Sequence, residues 1–350
     1  MTATAVHEES DAAVEEMFEC LSRGSAVYHP SMFWEKLNEL NLHQLETDGL
    51  DNLKRTVAQN YFTWVNAPKG DQFRYLMRHT RLSSWPSILS GAWSYDRSTR
   101  LTRRQQFELT IFTRMLWKFV EQFDDESLLQ SLEEPGLGNP FRVFLDGRLI
   151  SQDLANSVLE YASVRDHFRA PRDARVTICE LGAGYGRNAY VFMKAFPHCK
   201  YIVVDIPPAL HVAQHYLTTV LEDRTSFSFR CFDDFSEVFE EFDNADIAFL
   251  LPHQAEMLLT KSVDLFVNIS SLHEMTPSQI RAYFELIDRL TTQYFYSKQW
   301  FVSKNVVDQV EVRWDEYPVP SHWLQLYMRP ARVQTAFFET MYALEPDTAD

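Results

Sequence analysis

The sequence predicts an α/β protein, in which a doubly wound, mainly parallel sheet follows an all-helical N-terminal region. Three observations support this prediction. Residues 176–179 favour a buried strand, break into a run of glycines, and lead to a helical pattern over 187–196. A second apolar segment, 201–204, ends at Asp205. The first 134 residues show helical spacing and little strand signal.

Residues 1–134 are therefore expected to form a helical domain, and residues 135–350 a sheet domain. Apolar residues recur at helical spacing over 11–23, 31–46, 51–65, 72–81 and 102–123. Phe141–Gly147 suggests a short hairpin, and Ser151 is a good N-cap for a helix that ends near Arg169. We expect the helical region to be a lid, a dimerisation surface or both. An extension that only packs is the alternative.

Three segments are predicted as the remaining strands of the sheet: 227–232, 263–268 and 294–302. The segment 248–254 is apolar and then polar at its end. Pro207-Pro208 suits the first turn of a helix over 209–222. Thr276-Pro277 begins another helix, which ends near Leu290. Segments 310–314 and 333–344 carry mixed signals and are expected to be closing antiparallel strands.

The glycine run Gly182-x-Gly184-x-Gly186 follows Glu180. Glycine adopts positive φ and has no Cβ, so the backbone can approach a ligand closely. Dinucleotide sites favour G-x-G-x-x-G and bind a pyrophosphate, which a carboxylate at Glu180 would repel. S-adenosyl-L-methionine (SAM) carries an ammonium and a sulfonium and has no phosphate. We therefore expect Glu180 and the three glycines to bind SAM. A glycine-rich turn in another α/β protein is the alternative.

Acidic residues after the next strands extend this expected cofactor site. Asp205, followed by Ile206, ends the second strand, where a carboxylate can hold both ribose hydroxyls. Asp233 or Asp234 follows the third predicted strand and is expected to meet the adenine amino group. Helix capping is the alternative for all three aspartates.

The segment 268–275 leaves a convincing strand next to the expected cofactor. Its first residue, Asn268, is assigned to cofactor binding. His273 titrates near neutrality and suits a general base for a hydroxyl acceptor. Glu274 either orients His273 or is the base itself, and a purely structural loop is the alternative.

Further polar and aromatic residues are candidates for the acceptor pocket. His253 and Gln254 end another apolar segment, and Tyr317, His322 and Trp323 belong to an aromatic loop on which a sugar ring could stack. Packing is the competing interpretation for both groups. The spacing of the histidines and acids matches no strong metal motif, and we assign no metal.

The formal net charge of −16 argues against a nucleic-acid or anionic-membrane partner. The four cysteines, Cys20, Cys179, Cys199 and Cys231, form no C-x-x-C pair and are expected to be free thiols in a reducing compartment. No signal peptide or long apolar run is evident, so the protein is expected to be cytoplasmic.

Several of these segments together resemble the sugar O-methyltransferases of bacterial gene clusters for glycosylated natural products. The resemblance covers about residues 145–345. It is carried by Glu180–Arg187, Asp205–Pro208, Leu251–Gln254, Asn268–Met275, His322-Trp323 and Gly147–Leu154. It implies a class I methyltransferase, Rossmann-like fold, SAM as cofactor and a small-molecule sugar or glycoside as acceptor. Tyr185 and Arg187 are added to the expected acceptor contacts, and a homodimer is expected.

Overall fold

The computed structural model describes residues 3–61, 70–92, 96, 99–171 and 173–344. The chain folds as two compact units. The first comprises Met1–Thr47, Ala170–Ala331 and Ala336–Asp350, and the second comprises Asp48–Arg169 and Arg332–Thr335. The N-terminal 47 residues thus group with the sheet, and residues 135–169 group with the other helices. The domain boundary at 134/135 stays a prediction.

The described residues contain thirteen α-helices: α1 Ala3–Arg23, α2 Met32–Asp48, α3 Val57–Tyr61, α4 Gly70–His79, α5 Trp85–Leu89, α6 Arg103–Val120, α7 Leu128–Ser131, α8 Gln152–Arg165, α9 Arg187–Ala195, α10 Ala209–Val220, α11 Phe239–Asn244, α12 Pro252–Ala255 and α13 Pro277–Leu290. They contain twelve strands: β1 Val143–Leu145, β2 Arg148–Ile150, β3 Thr177–Leu181, β4 Lys200–Val204, β5 Ser226–Phe227, β6 Ile247–Leu250, β7 Val263–Ile269, β8 Thr291–Trp300, β9 Val302–Asn305, β10 Val310–Arg313, β11 Leu324–Pro330 and β12 Phe337–Ala343.

The first unit is built on an eight-stranded sheet with the order β11-β12-β8-β7-β3-β4-β6-β5. The strands from β8 to β5 pair in parallel, and β12 and β11 close the sheet antiparallel. The central strands are apolar on both faces because helices cover the sheet on each side. The predicted doubly wound α/β fold is confirmed.

The sheet differs from the sequence prediction at three strands. The segment predicted as a strand over 227–232 contributes only β5, a two-residue edge strand, and the strand beside β4 is β6. Strand β10, predicted to close the sheet, instead pairs with β9 in a separate two-stranded ribbon. The closing strand β11 is not among the predicted strands. It is mostly half-exposed, so it lacks the apolar alternation that marks a strand.

The second unit packs its helices around α6. Thr102 and Gln105 form a capping box at the start of this helix. Phe112, Met115 and Trp117 are buried along it. Strands β1 and β2 form the expected hairpin, and Ser151 caps α8 by accepting a hydrogen bond from Leu154 N.

The expectation of four free thiols is wrong for two of them. Cys20 of α1 and Cys231 of the loop after β5 form a disulfide, whereas Cys179 and Cys199 are free and buried. The two bonded residues are 211 positions apart, and no sequence pattern marks them as a pair. The cysteine argument for a reducing compartment is therefore lost, and the cytoplasmic location stays a prediction. No helix in the described ranges is long and apolar enough to cross a membrane.

Thiol counting tests the disulfide. In denaturant without reductant, an alkylating reagent should modify two cysteines, because the sulfurs of Cys20 and Cys231 are bonded to each other. After reduction it should modify all four, as measured by intact-protein mass. Cys199→Ser should lower each number by one. Four modified cysteines before reduction would contradict the pairing.

Candidate cofactor and methyl-transfer site

The site lies where β3, β4 and β7 end at one edge of the sheet. Strand β3 has β4 on one side and β7 on the other. The chain moves outward from β3 through β4 and returns to β7, so the strand order reverses at β3. Ligands of open α/β sheets bind beyond the strand ends at such a reversal. The structure brings three predicted segments to this edge: the glycine turn, Asp205 and the loop that begins at Asn268.

The glycine turn requires glycine for its conformation and for its packing. Gly182, Gly184 and Gly186 have φ values of 72°, 60° and 89°. A Cβ at Gly182 would overlap the side chain of Ser271, and a Cβ at Gly186 would overlap Leu217. The turn is therefore left-handed, and neighbouring side chains cover it closely at Gly182 and Gly186.

Asp205 lies directly after β4 and faces the turn. Its Oδ2 accepts a hydrogen bond from Gly184 N, and its Oδ1 accepts one from Ile206 N, both at 2.8 Å. Burial raises the pKa of Asp205 to about 7, against the opposing effect of these two bonds. The structure thus holds a carboxyl group that titrates near neutrality at the predicted ribose position.

Glu180 is fully buried beneath the turn. One carboxylate oxygen accepts a hydrogen bond from Asn188 Nδ2 and the other accepts one from the Tyr201 hydroxyl, both at 2.8 Å. Burial, together with the Glu180 charge, raises the pKa of Tyr201 well above its ordinary value. Glu180 therefore links the first turn of α9 to β4. A direct contact with SAM stays a prediction.

Asn268, at the end of β7, is a buried hub of hydrogen bonds. Its Nδ2 donates to Leu181 O at 2.9 Å and to Ser271 Oγ at 2.6 Å. Its Oδ1 accepts hydrogen bonds from Leu272 N and from Gln299 Nε2. The amide thus fastens the loop after β7 to the residue that precedes Gly182. The predicted contact with the cofactor is not tested by this geometry.

His273 is buried in a short 3-10 turn, Leu272–Glu274. Its Nδ1 lies 2.8 Å from Gln299 Oε1, and the rings of Trp300 and Phe337 meet it edge-on. Burial lowers the pKa of His273 to about 4, although the bond to Gln299 raises it. The imidazole is therefore neutral at physiological pH.

Glu274 is the more accessible member of the predicted pair, with 26% of its side chain exposed. Its Oε1 lies 3.6 Å from His273 Nε2, which is too long for a hydrogen bond but close enough for electrostatic coupling. Burial first, and then the charge of Asp205, raise the pKa of Glu274 to about 8. Glu274 and Asp205 are thus electrostatically coupled, and His273 lies beside Glu274.

The candidates near β5 and β6 have local structural partners. Asp233 is exposed, and Asp234 accepts a hydrogen bond from Ser236 N as a cap. His253 packs against Gly24, and its Nε2 lies 3.9 Å from Cys20 Sγ. Gln254 uses both ends of its amide on Leu251 N and Arg230 O. Because β6 and not β5 neighbours β4, the turn after β6 is the closer of the two to the cofactor edge.

The remaining acceptor candidates lie in two places, at the glycine turn and in the aromatic loop that packs on α13. Tyr185 is buried edge-on against Tyr216, and Arg187 donates to Asn188 Oδ1. In the aromatic loop, Trp323 is buried, stacks on Phe284, and donates to Asp288. His322 is exposed and lies 2.8 Å from Asp288, and Tyr317 packs on Phe284 with its hydroxyl buried. The loop thus packs on α13, and its acceptor role stays a prediction.

Sequence reasoning missed Gln299, Asn188 and Tyr201. Gln299 carried one usable signal, since a glutamine inside an apolar strand has to find hydrogen-bond partners. The partners of Asn188 and Tyr201 depend on the packing of α9 over the sheet. Within the described ranges, no group of three or more histidines, cysteines and acids is arranged to hold a metal ion.

Comparisons with known proteins give one family match and several similar solved structures. Residues 164–251 match the family described as an O-methyltransferase domain. A search of the curated proteins found no match. Solved structures with a similar chain include three methyltransferases. A mitomycin 7-O-methyltransferase is 11% identical, the match covers 89% of this chain and 76% of that chain, and the TM-score is 0.36. A Burkholderia thailandensis 1,6-didemethyltoxoflavin N1-methyltransferase, solved with S-adenosylhomocysteine, is 12% identical over 65% of this chain and 86% of that chain, with a TM-score of 0.37. A SAM-dependent methyltransferase from Aquifex aeolicus is 12% identical over 53% of this chain and 89% of that chain, with a TM-score of 0.35.

Identities and TM-scores this low carry no argument about the acceptor. The family match, by contrast, spans β3, the glycine turn, β4 and β6, which are the elements that build the site. The matched segment, about a quarter of the chain, is thus similar to part of an O-methyltransferase domain, and SAM is the cofactor that this match supports.

Proposed function

We propose that this protein is a SAM-dependent O-methyltransferase that acts on a hydroxyl of a sugar or of a glycosylated natural product. The observation that carries the proposal is the neutral imidazole of His273, placed beside Glu274 at the cofactor edge. A sugar hydroxyl is a poor nucleophile until its proton is removed, so such an acceptor needs a base. The family description supports transfer to oxygen, and the sequence resemblance supports the sugar class.

The residues at the edge of the sheet fit SAM. The three glycines hold the left-handed turn next to Asp205, and the N–H of Gly184 donates to that carboxyl group. Asp205 provides a carboxyl group whose two outer lone pairs suit the ribose hydroxyls. The charge of Glu180 raises the pKa of Asp205, and the charge of Asp205 raises that of Glu274. A bound cation would relieve this repulsion between carboxylates.

When bound, SAM supplies an electrophilic methyl group. The protein aligns the acceptor and removes its proton. We assign the acceptance of this proton to His273 Nε2. A buried imidazolium is costly, and the Glu274 carboxylate at 3.6 Å offsets that cost. The two groups therefore act as one titrating pair, in which Glu274 has to be ionised.

Two alternatives come from other classes of function. One is methylation of a phenol, carboxylate or amine on a small metabolite, which needs weaker base catalysis or none. The other is a methyltransferase-like subunit that binds SAM without turnover. The homodimer and the lid role of the helical region are proposed on sequence grounds alone.

A panel of acceptors with methyl-labelled SAM separates these functions. We expect label on a sugar hydroxyl of a free sugar or glycoside, identified by mass spectrometry. His273→Ala should lower turnover by about 10²–10⁴-fold, because it removes the base, while cofactor binding by calorimetry is retained. Label on phenols, carboxylates or amines alone would overturn the acceptor class. Cofactor binding without any turnover would favour the non-catalytic subunit.

Cofactor affinity should depend on the ionisation of Asp205. Ribose hydroxyls donate to a carboxylate, and protonation removes its charge and turns one of its oxygens into a donor. With a pKa of about 7, the dissociation constant of S-adenosylhomocysteine should rise about tenfold from pH 8 to pH 6. Calorimetry of Asp205→Asn should show weaker binding at pH 8 and a flat pH dependence.

Asp264→Asn is the matched control, because Asp264 also accepts a backbone hydrogen bond, from Thr177 N, but lies at the opposite end of the sheet. This variant should keep the wild-type pH dependence. A flat curve for the wild-type protein would contradict the role of Asp205.

Turnover should depend on the ionisation of Glu274. Its pKa is raised to about 8, and only the carboxylate stabilises the protonated His273. At saturating SAM, kcat/KM for the acceptor should therefore fall about tenfold per pH unit below the pKa of Glu274. Because SAM is cationic, it lowers this pKa, so the fall should begin at or somewhat below about pH 8. Glu274→Gln should be slower and should lose this acid limb.

Glu237→Gln, which changes an exposed glutamate, should preserve the profile. An acid limb that persists unchanged in Glu274→Gln would remove Glu274 from the reaction.

A further inference from the structure

Gln299 is the second-last residue of β8 and is completely buried. Its Oε1 faces His273 and accepts from the backbone N at 3.3 Å and from Nδ1 at 2.8 Å. Its Nε2 faces Asn268 and donates to Oδ1 at 2.6 Å and to the backbone O at 3.3 Å. The side-chain amide of Gln299 thus connects Asn268, at the end of β7, with the imidazole of His273.

Two backbone groups determine which way this amide points. The N–H of His273 can only donate, and the C=O of Asn268 can only accept. The oxygen of Gln299 therefore has to face His273. An oxygen at 2.8 Å can only accept from Nδ1, so Nδ1 carries the proton of the neutral imidazole. The unprotonated nitrogen is then Nε2, which is the atom on the Glu274 side.

We propose that Gln299 is a positioning residue that fixes His273 as the Nδ1–H tautomer and so presents an unprotonated Nε2 to the acceptor. This inference deepens the proposed function and rests on its assignment of His273. Gln299 touches neither cofactor nor acceptor in this role. It acts through His273, and its own orientation is set by Asn268, which also holds the residue before the glycine turn. The tautomer of the base is thereby linked to the cofactor corner.

A glutamine suits this task better than a carboxylate for a physical reason. A carboxylate at the same place would also accept from Nδ1, but its charge would stabilise the imidazolium and raise the pKa of His273. Glutamine selects the tautomer and leaves the ring neutral. The charge that stabilises the protonated ring is then supplied on the other side, by Glu274.

Nitrogen NMR of ring-labelled histidine tests the proposal directly. The signal of His273, assigned by its loss in His273→Ala, should show a protonated Nδ1 and an unprotonated Nε2 at pH 7.5. In Gln299→Met the tautomer should become mixed or reversed, and kcat should fall about 10-fold or more with little change in KM for SAM. Gln299→Glu should restore the Nδ1–H tautomer and raise the pKa of His273.

Ser297→Ala is the matched control on the same strand. Ser297 accepts from Gln299 Nε2 at 3.1 Å, so this variant disturbs the buried network without removing the acceptor of Nδ1. It should keep the wild-type tautomer. An unchanged Nδ1–H tautomer in folded Gln299→Met would overturn the inference whatever the activity. Retained turnover in His273→Ala would instead overturn the proposed base and leave the tautomer result standing.

Discussion

The arrangement of the site depends on one buried amide, that of Asn268. It joins the end of β7 to Leu181 O, the last carbonyl before the glycine turn, and through Gln299 it reaches His273. Cofactor binding and proton removal are tasks of different loops, and methyl transfer requires both to be aligned. A single side chain with two donors and one acceptor holds these loops together in a region from which water is excluded. In such a region each hydrogen bond is costly to lose.

The electrostatics of the site follow mainly from burial. Asp205 and Glu274 have raised pKa values and His273 a lowered one, so burial opposes the charged form of all three. Asp205 and Glu274, when both are ionised, repel each other. A cationic ligand without phosphate lowers the energy of this repulsion, whereas a pyrophosphate would increase it. The sequence indicated SAM because a carboxylate attracts a cation and repels a pyrophosphate. This argument applies to Asp205 and Glu274 more directly than to Glu180, whose two oxygens already accept hydrogen bonds from Asn188 and Tyr201.

Local patterns predicted the centre of the fold and part of the site. Strand, glycine turn and helix are adjacent in sequence, and the left-handed φ angles of Gly182, Gly184 and Gly186 follow from residue type. Other features depend on contacts between distant segments. The disulfide joins Cys20 to Cys231, and the order of β5 and β6 depends on which strand pairs with β4. No periodicity within a segment contains that information.

The N-terminal residues are a second case in which a local pattern predicted the elements but not their packing. Their helical spacing predicted a separate helical domain, but spacing cannot say against which element a helix packs. Gly24 abuts His253 closely enough to exclude a Cβ, and the Tyr28 hydroxyl donates to Glu256 at 2.6 Å. The first 47 residues are thus part of the unit that contains the sheet, and they cover the turn that follows β6. Since Trp323 is buried against Phe284, the aromatic loop offers less to an acceptor than its composition suggests.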